Sequence, residues 1–454
     1  MASLTYEAAL AALQARGRFG IRLGLGRTRA LLREMDDPQA AFRGALIAGT
    51  NGKGSALALV ASVLRAAGLR AGETPKPHLV TYRERLQIGG RLVDPATFAS
   101  IVERAIEAAD RIARRQGEPT EFELLTAVAF RWFADEAVDL AVVEVGLGGR
   151  LDATHAWDGG VAAITNVDLD HMDRLGSTVR AIAHEKAAII MRGDLAVTGA
   201  EADGLAVIRR RAGRVGASLR VVTPAPVIGL DRDGIRVELA GLGETQVGLR
   251  GRHQAANVAV AEAVIDALAE AGIARVDPGA RRRGYADARW AGRLEIIEAE
   301  SHELLLDGAH NPAGGAVLAQ ALDDYRPFLA GGDGPGRPPI TLLIGAMADK
   351  DVAGIVRALG AARAMADARI ICTQIDQPRA LLAEDLAALW AAARPGPRGG
   401  AWIQVVRPPA AALEFALDQA PGPIVVAGSL YLVGEVRARL VDDPALSDVS
   451  GSRP

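Results

Sequence analysis

The sequence predicts an α/β protein of two domains, each built on a mostly parallel sheet covered by helices. Three observations predict it. Short runs rich in Val, Ile and Leu alternate with longer Ala/Leu-rich helical patterns. The short runs are continuously apolar rather than alternating, which suits parallel strands buried on both faces. Glycine or a polar residue follows nearly every run, and in doubly wound sheets ligands bind beyond the carboxyl ends of strands. At 454 residues the chain is too long for one ordinary core.

Taken in order, strands are expected at Leu46–Ala48, Leu140–Val145, Val161–Thr165, Leu304–Leu306, Thr341–Ile344, Arg369–Cys372 and Ile424–Ala427. Chemistry is therefore sought at Gly49, Glu144, Thr165, Asp307 and Gly345. The domain boundary is placed in the Arg-, Gly- and Asp-rich stretch 275–293, giving domains 1–288 and 289–454 with an error of about ten residues. Loops are expected at 331–339 and 394–400 inside the second domain.

Composition narrows the function classes. Hydrophobic residues make 50% and charged ones 24%, with a net charge of −3, so no polycation for nucleic acid is present. The only basic cluster, Arg281-Arg282-Arg283, reads as a solvated helix face. The single cysteine, Cys372, excludes an internal disulfide and a cysteine-based zinc site, and its apolar run reads as core. No signal peptide is evident and no apolar span is long enough for a bilayer. A cytoplasmic protein without nucleic-acid or membrane partners, and monomeric, is expected.

The sharpest motif is Gly49-Thr50-Asn51-Gly52-Lys53-Gly54-Ser55, between the first strand and a helix at 56–64. Strand, glycine loop and helix start make a phosphate cradle. It is not a strict Walker A: Ile47 stands where that motif has its first glycine, and Gly54 intervenes between Lys53 and the hydroxyl of Ser55. A bare glycine turn would leave Lys53 opposing the helix dipole for no purpose. Three further clusters end strands. Glu144 leads 144–155 and is a candidate magnesium ligand. The run 165–173 is dense in acids and holds His171, with Lys186 following. Asp307-Gly308-Ala309-His310-Asn311-Pro312 closes a strand of the second domain and would lie over the first if the two sheets face each other.

These four blocks, Gly49 to Ser55, Glu144 to Thr154, Asp168 to Lys186 and Asp307 to Pro312, resemble the folylpolyglutamate synthase and dihydrofolate synthase family of the Mur ligase superfamily. Softer matches at 20–25, 345–351 and 428–429 extend the resemblance over about residues 5–437. It implies a P-loop NTPase-like N-terminal domain and a smaller Rossmann-like C-terminal domain. It also implies ATP and Mg²⁺ as cofactors, and pterin or folate, L-glutamate and ATP as small-molecule substrates. The carboxylate would be phosphorylated first, and the glutamate amine would then displace phosphate.

By match to the family's motifs, Asn51, Gly52, Lys53, Gly54 and Ser55 hold the phosphates, and Asn257, Arg293 and Asp307 contact ATP. Ser55, Glu144, His171 and Lys186 are the implied metal ligands, Lys186 after carbamylation. Lys53, Lys186 and His310 are the implied catalytic residues. Thr120, Glu121, Phe122, Glu123, Leu151, Asp152 and Ala153 are the implied pterin contacts. Because Arg293 and Asp307 lie in the second domain, catalysis is expected to require domain closure.

Two positions depart from the family. Lys76 precedes Pro77-His78-Leu79 where the family carries a magnesium-ligating Ser, and an ammonium cannot ligate a metal. Lys76 either supplies positive charge to the phosphates at an altered metal site or points to solvent. His155 stands where the family has Asn. These departures leave open a Mur-type ligase for another carboxylate, or a nucleotide-binding relative without activity.

Overall fold

The computed structural model describes residues 4–17, 20, 22–393 and 402–446. The expected loop at 394–400, and Ile21 within the N-terminal match, lie outside the described residues.

The first sheet has eight strands: β1 (Gly44–Ala48), β2 (Ala71–Thr74), β3 (Gln87–Ile88), β4 (Arg91–Leu92), β5 (Leu140–Glu144), β6 (Gly160–Ile164), β7 (Leu195–Thr198) and β8 (Ser218–Val221). Their order is β4-β3-β2-β5-β1-β6-β7-β8. In the order from β2 to β8 all neighbours are parallel, and only the β2–β3 and β3–β4 pairings are antiparallel. The continuous apolar runs are explained by burial on both faces. In β1, Leu46 and Ala48 enter one core with the helices Tyr6–Gly17, Pro95–Gln116 and Glu121–Asp135. Ala45 and Ile47 enter another with the helices Lys53–Ala66 and Gln254–Glu270.

A three-stranded antiparallel sheet follows: β9 (Val227–Asp231), β10 (Gly234–Leu239) and β11 (Gly243–Val247), in the order β11-β10-β9. The last sheet comprises β12 (Glu295–Ala299), β13 (His302–Leu306), β14 (Thr341–Ile344), β15 (Arg369–Cys372), β16 (Ile403–Val405) and β17 (Ile424–Ala427). Its order is β12-β13-β17-β14-β15-β16, parallel except for β12. Here too alternate residues divide between two cores, Leu342 and Ile370 on one face and Leu343 and Ile371 on the other.

All seven expected runs form strands, with ends shifted by at most two residues. Most of the strands that sequence reasoning missed lack a continuous apolar run; β7, with Leu195-Ala196-Val197, is an exception. β2 reads Ala-Gly-Glu-Thr yet is buried throughout, because β3 and β5 flank it. Cys372 lies in the core, where burial pushes its thiol up to about 12. The basic cluster is not a uniformly solvated face. Arg281, in the helix Pro278–Asp287, donates to Glu262 at 2.6 Å and Asp266 at 2.7 Å. Burial of that helix against Lys53–Ala66 brings the guanidinium to those carboxylates.

Candidate active site

The phosphate loop is braced by the neighbouring strand end as well as by its own lysine. β1 pairs with β6 so that Ala48 lies opposite Ile164, which places Thr165 and Asn166 against residues 49–51. Thr165 Oγ1 donates to the Asn51 carbonyl at 2.6 Å. The Asn51 N–H donates to Asn166 Oδ1 at 2.8 Å, so this amide is already engaged. Thr50 Oγ1 accepts from the Asp168 N–H at 3.0 Å. Thus the start of the 165–173 cluster is scaffold, although the sequence drew attention to its acids.

Gly52 caps the helix Lys53–Ala66 with φ of 79°, in the left-handed region, and a Cβ there would collide with Asn257 Oδ1. The unusual Gly54 also has a steric cause. A Cβ at Gly54 would lie 3.0 Å from Trp290 Cζ2, so the indole, from the 289–293 stretch, rests on the first turn. Ser55 is buried one position later, 3.5 Å from Gln254 Nε2. Gln254 Oε1 accepts from Asn257 Nδ2 at 2.8 Å. Trp290 and Gln254 were not singled out from sequence, though both lie inside runs already marked by Arg293 and Asn257.

A cleft opens on this loop, lined by Gly49, Lys53, Gly146, Asp170, His171 and Lys186 among others. It brings together three of the expected site residues, Lys53 from one block and His171 and Lys186 from another. Lys53 Nζ donates to the carbonyls of Gly49 at 3.0 Å and Thr50 at 3.1 Å. Lys186 is buried and donates to the same Gly49 carbonyl at 2.8 Å. Burial, reinforced by the Lys53 charge and opposed by Asp170, holds the Lys186 amine down to about 7. His171 is half exposed on a left-handed residue (φ 47°), with Nε2 3.7 Å from Asp170.

Glu144 ends β5 and is buried. Burial raises its carboxyl, while Lys53, the Lys76 N–H, the Lys76 charge and Arg293 oppose that shift. Because β2 and β5 are parallel with Thr74 opposite Val143, the chain leaving β2 carries Lys76 past Glu144. The Lys76 N–H donates to Glu144 Oε2 at 2.9 Å, and Nζ donates to the Glu144 carbonyl at 2.6 Å. The same ammonium stands 5.1 Å from the Phe122 ring centroid. Lys76 therefore does not point to solvent, which corrects that half of the expectation.

The residues expected at the pterin divide into two groups. Thr120 and Glu123 form a capping box at the start of Glu121–Asp135, and Arg27 pairs with Glu123 at 3.0 Å. Asp152 caps its own short helix and accepts from the Leu147 N–H at 2.8 Å. Leu151 and Ala153 flank it, half-buried and buried. Their side chains build the wall. Phe122 meets Lys76 and Gly146, and Glu121 reaches Tyr82 and Arg85. His155 is buried with Nδ1 3.0 Å from the Arg150 carbonyl, turned into the fold.

Asp307 directly follows β13 and holds the loop beside it, accepting from the N–H groups of Leu294 at 3.0 Å and Ala309 at 2.9 Å. Arg293 acts on Asp307 and on Glu144, so the second sheet's loop already faces the first sheet's carboxylate. His310 Nδ1 lies 2.7 Å from the Gly308 carbonyl, and burial lowers its pKa.

The donors present fit some ligands and not others. Lys53, Lys186 and a glycine-started helix suit a polyphosphate. Ser55, Glu144 and His171 offer a hydroxyl, a carboxylate and an imidazole, a set that suits a divalent ion arriving with phosphates. Among the described residues no group of three His, Cys, Asp or Glu is placed to hold a metal, so an all-protein cage does not fit. No helix among the described residues is long and apolar enough to cross a membrane.

Residues 47–265 match the Mur ligase middle domain and residues 292–440 match the dihydrofolate synthetase C-terminal domain. The dihydrofolate synthase/folylpolyglutamate synthase of Bacillus subtilis (strain 168) is 32% identical over 96% of this chain and 99% of its own length. The crystal structure of a folylpolyglutamate synthase from Thermotoga maritima superposes with a TM-score of 0.83 at 29% identity, covering 97% of this chain and 99% of that one. The Mycobacterium tuberculosis folylpolyglutamate synthase complexed with ADP and AMPPCP gives 0.83 at 31% identity, covering 97% and 100%. Similarity that spans both sheets and runs unbroken through the phosphate loop and the Asp307 turn makes this chain a member of the dihydrofolate synthase/folylpolyglutamate synthase family of Mur ligases.

Proposed function

We propose that the chain is an ATP-dependent ligase that joins L-glutamate to dihydropteroate, to tetrahydrofolate, or to both, through an acyl phosphate. The observation that carries this reading is the convergence on one cleft. Lys53 and Lys186 meet at the Gly49 carbonyl, and Arg293 from the second unit acts on Glu144 beside them. The relatives named above, one of them solved with ADP and AMPPCP, support it.

A free carboxylate is a poor acyl donor. Transfer of the γ-phosphoryl group to it yields ADP and an acyl phosphate. The glutamate amine then attacks the acyl carbon, the C–O bond to phosphate breaks, and an amide and inorganic phosphate leave. Two anions must meet for the first step, so charge neutralisation and alignment dominate the barrier. Asn51 through Ser55 would hold the phosphates, with Asn257, Arg293 and Asp307 at the nucleotide. Ser55, Glu144 and His171 would hold Mg²⁺, which supplies charge neutralisation at the transferring phosphate. Carbamylation of Lys186 belongs to the same proposal, since it would replace a buried ammonium beside Lys53 with an anion. His310 would act from the second domain. Glu121, Phe122, Leu151 and Ala153 would meet the pterin on a frame set by Thr120, Glu123 and Asp152. The domains are taken as 1–288 and 289–454, in a monomeric cytoplasmic enzyme.

The test is direct. Purified protein is incubated with ATP, Mg²⁺, L-glutamate and either dihydropteroate or tetrahydrofolate. Acceptor-dependent ADP release and a product heavier by one glutamate residue are expected. No ADP release with either pterin overturns the folate reading, and ATP binding without acceptor-dependent phosphate release indicates an inactive relative.

A further inference from the structure

Lys76 is the residue whose placement the ligase reading leaves unexplained. It is strapped to Glu144 at two points, through its N–H to the carboxylate and through Nζ to the carbonyl. Its ammonium lies between the end of β5 and the Phe122 ring, and the charges of Asp152 and Glu144 act on it. The Glu144 carboxylate meanwhile faces three cations, Lys53, Lys76 and Arg293. Burial still raises that carboxyl against all three, and a further divalent ion beside the Lys76 ammonium would meet like charge in a poorly solvated site. At phosphoryl-transfer sites Mg²⁺ is held by one or two carboxylates together with substrate phosphates. Here the two buried carboxylates at that strand end, Glu144 and Asp152, already accept from the N–H groups of Lys76 and Leu147, and no three-residue metal-binding group occurs among the described residues.

We propose that the Lys76 ammonium takes the place of a second divalent cation, so that the nucleotide complex of this chain carries one metal ion. The ammonium stands on the Phe122 side of Glu144 and supplies the positive charge that the meeting of two anions requires. This rests on the ATP-dependent ligase reading above. A fixed lysine supplies one positive charge without an exchange step, but as a point charge it cannot share oxygens between two phosphates as a metal does.

The test counts metal ions. Mn²⁺ bound per chain is measured by electron paramagnetic resonance at saturating AMPPCP, in the wild type and in Lys76→Ser, whose hydroxyl can ligate. One Mn²⁺ per bound nucleotide in the wild type and two in Lys76→Ser are expected. Two in the wild type, or one in Lys76→Ser, overturns the inference while leaving the ligase reading intact. A wild type that binds no AMPPCP overturns the ligase reading and the inference with it. Turnover of Lys76→Met should fall at least tenfold, and Lys76→Arg should stay within about threefold of the wild type. A lysine that merely pinned the loop would lower Tm in Lys76→Met and leave kcat within twofold, and that result also counts against the inference.

Discussion

Lys53 and Lys186 place two amines on one carbonyl, that of Gly49, at 3.0 and 2.8 Å. Alone, Lys53 would oppose the dipole of the helix it begins. Its ammonium instead bends back over the loop, where the carbonyls of Gly49 and Thr50 receive it. Lys186 is buried beside the half-buried Lys53, and this crowding is relieved by loss of the Lys186 proton, which burial and Lys53 favour, or by an anion, so the cleft suits phosphate. Away from the site, Glu73 shows what burial alone does. Its carboxyl is pushed up to about 7 from an ordinary 4.5, chiefly by desolvation and against the pull of Arg65 and the Gly90 N–H. Between pH 4.5 and about 7 the folded state therefore binds more protons than the unfolded chain, and stability falls as pH rises through that window. Glu73→Gln should flatten the decline and be more stable than the wild type at pH 8, as read from urea midpoints across pH 5–8. An unchanged slope would mean that Glu73 is ionised in the folded protein.

The helix Glu121–Asp135 shows how an element carries both framework and site. Thr120-Glu121-Phe122-Glu123 spells a capping box, visible in the sequence as a Thr followed three residues later by Glu. The structure closes it, with the Thr120 N–H donating to Glu123 at 2.7 Å. Arg27 and Thr28, from the helix Leu25–Glu34, lean on the same carboxylate. The cap turns Phe122 to Lys76 and Glu121 to Tyr82. Thr120→Ala should cost about 1 kcal/mol of stability by urea unfolding. Thr120→Ser should recover most of it. Equal losses in both variants would assign the effect to the methyl group rather than to the cap. The resemblance pointed to this segment as a substrate contact, and the cap explains how two of its four side chains serve without facing the cleft.

At the scale of the molecule, the antiparallel sheet shares a hydrophobic core with the first sheet, and polar contacts help tie the last sheet to it. The Tyr325 hydroxyl, at the end of the helix Pro312–Tyr325, donates to the Gly234 carbonyl at 2.7 Å and accepts from the Gly251 N–H at 3.1 Å. Arg252 pairs with Asp324 at 2.9 Å on the same side. These contacts tie the last sheet's layer to the antiparallel sheet and to the approach of Gln254–Glu270, which carries Asn257 to the phosphate loop. Tyr325→Phe should lose about 1–3 kcal/mol, because two buried backbone groups lose their partner. Calorimetry of the intact chain checks it, and a loss under about 0.5 kcal/mol would show that water replaces the hydroxyl.

The sequence by itself determined the two parallel sheets, because burial on both faces demands continuous apolar strands at Leu46, Leu140, Leu342 and Ile424. It also determined the phosphate loop, because Gly52 and Lys53 at a helix start have one common use. It did not determine β2, whose Ala-Gly-Glu-Thr is a strand only because its neighbours complete its hydrogen bonds. Nor did it determine why Gly54 separates Lys53 from Ser55, which follows from Trp290 lying 3.0 Å from where a Cβ would be, 236 positions along the chain. The direction of Lys76 was likewise decided by the parallel pairing of β2 with β5, which delivers its ammonium to Glu144 rather than to water. Local periodicity encodes which residues are buried; only the pairing of distant segments decides which charges meet.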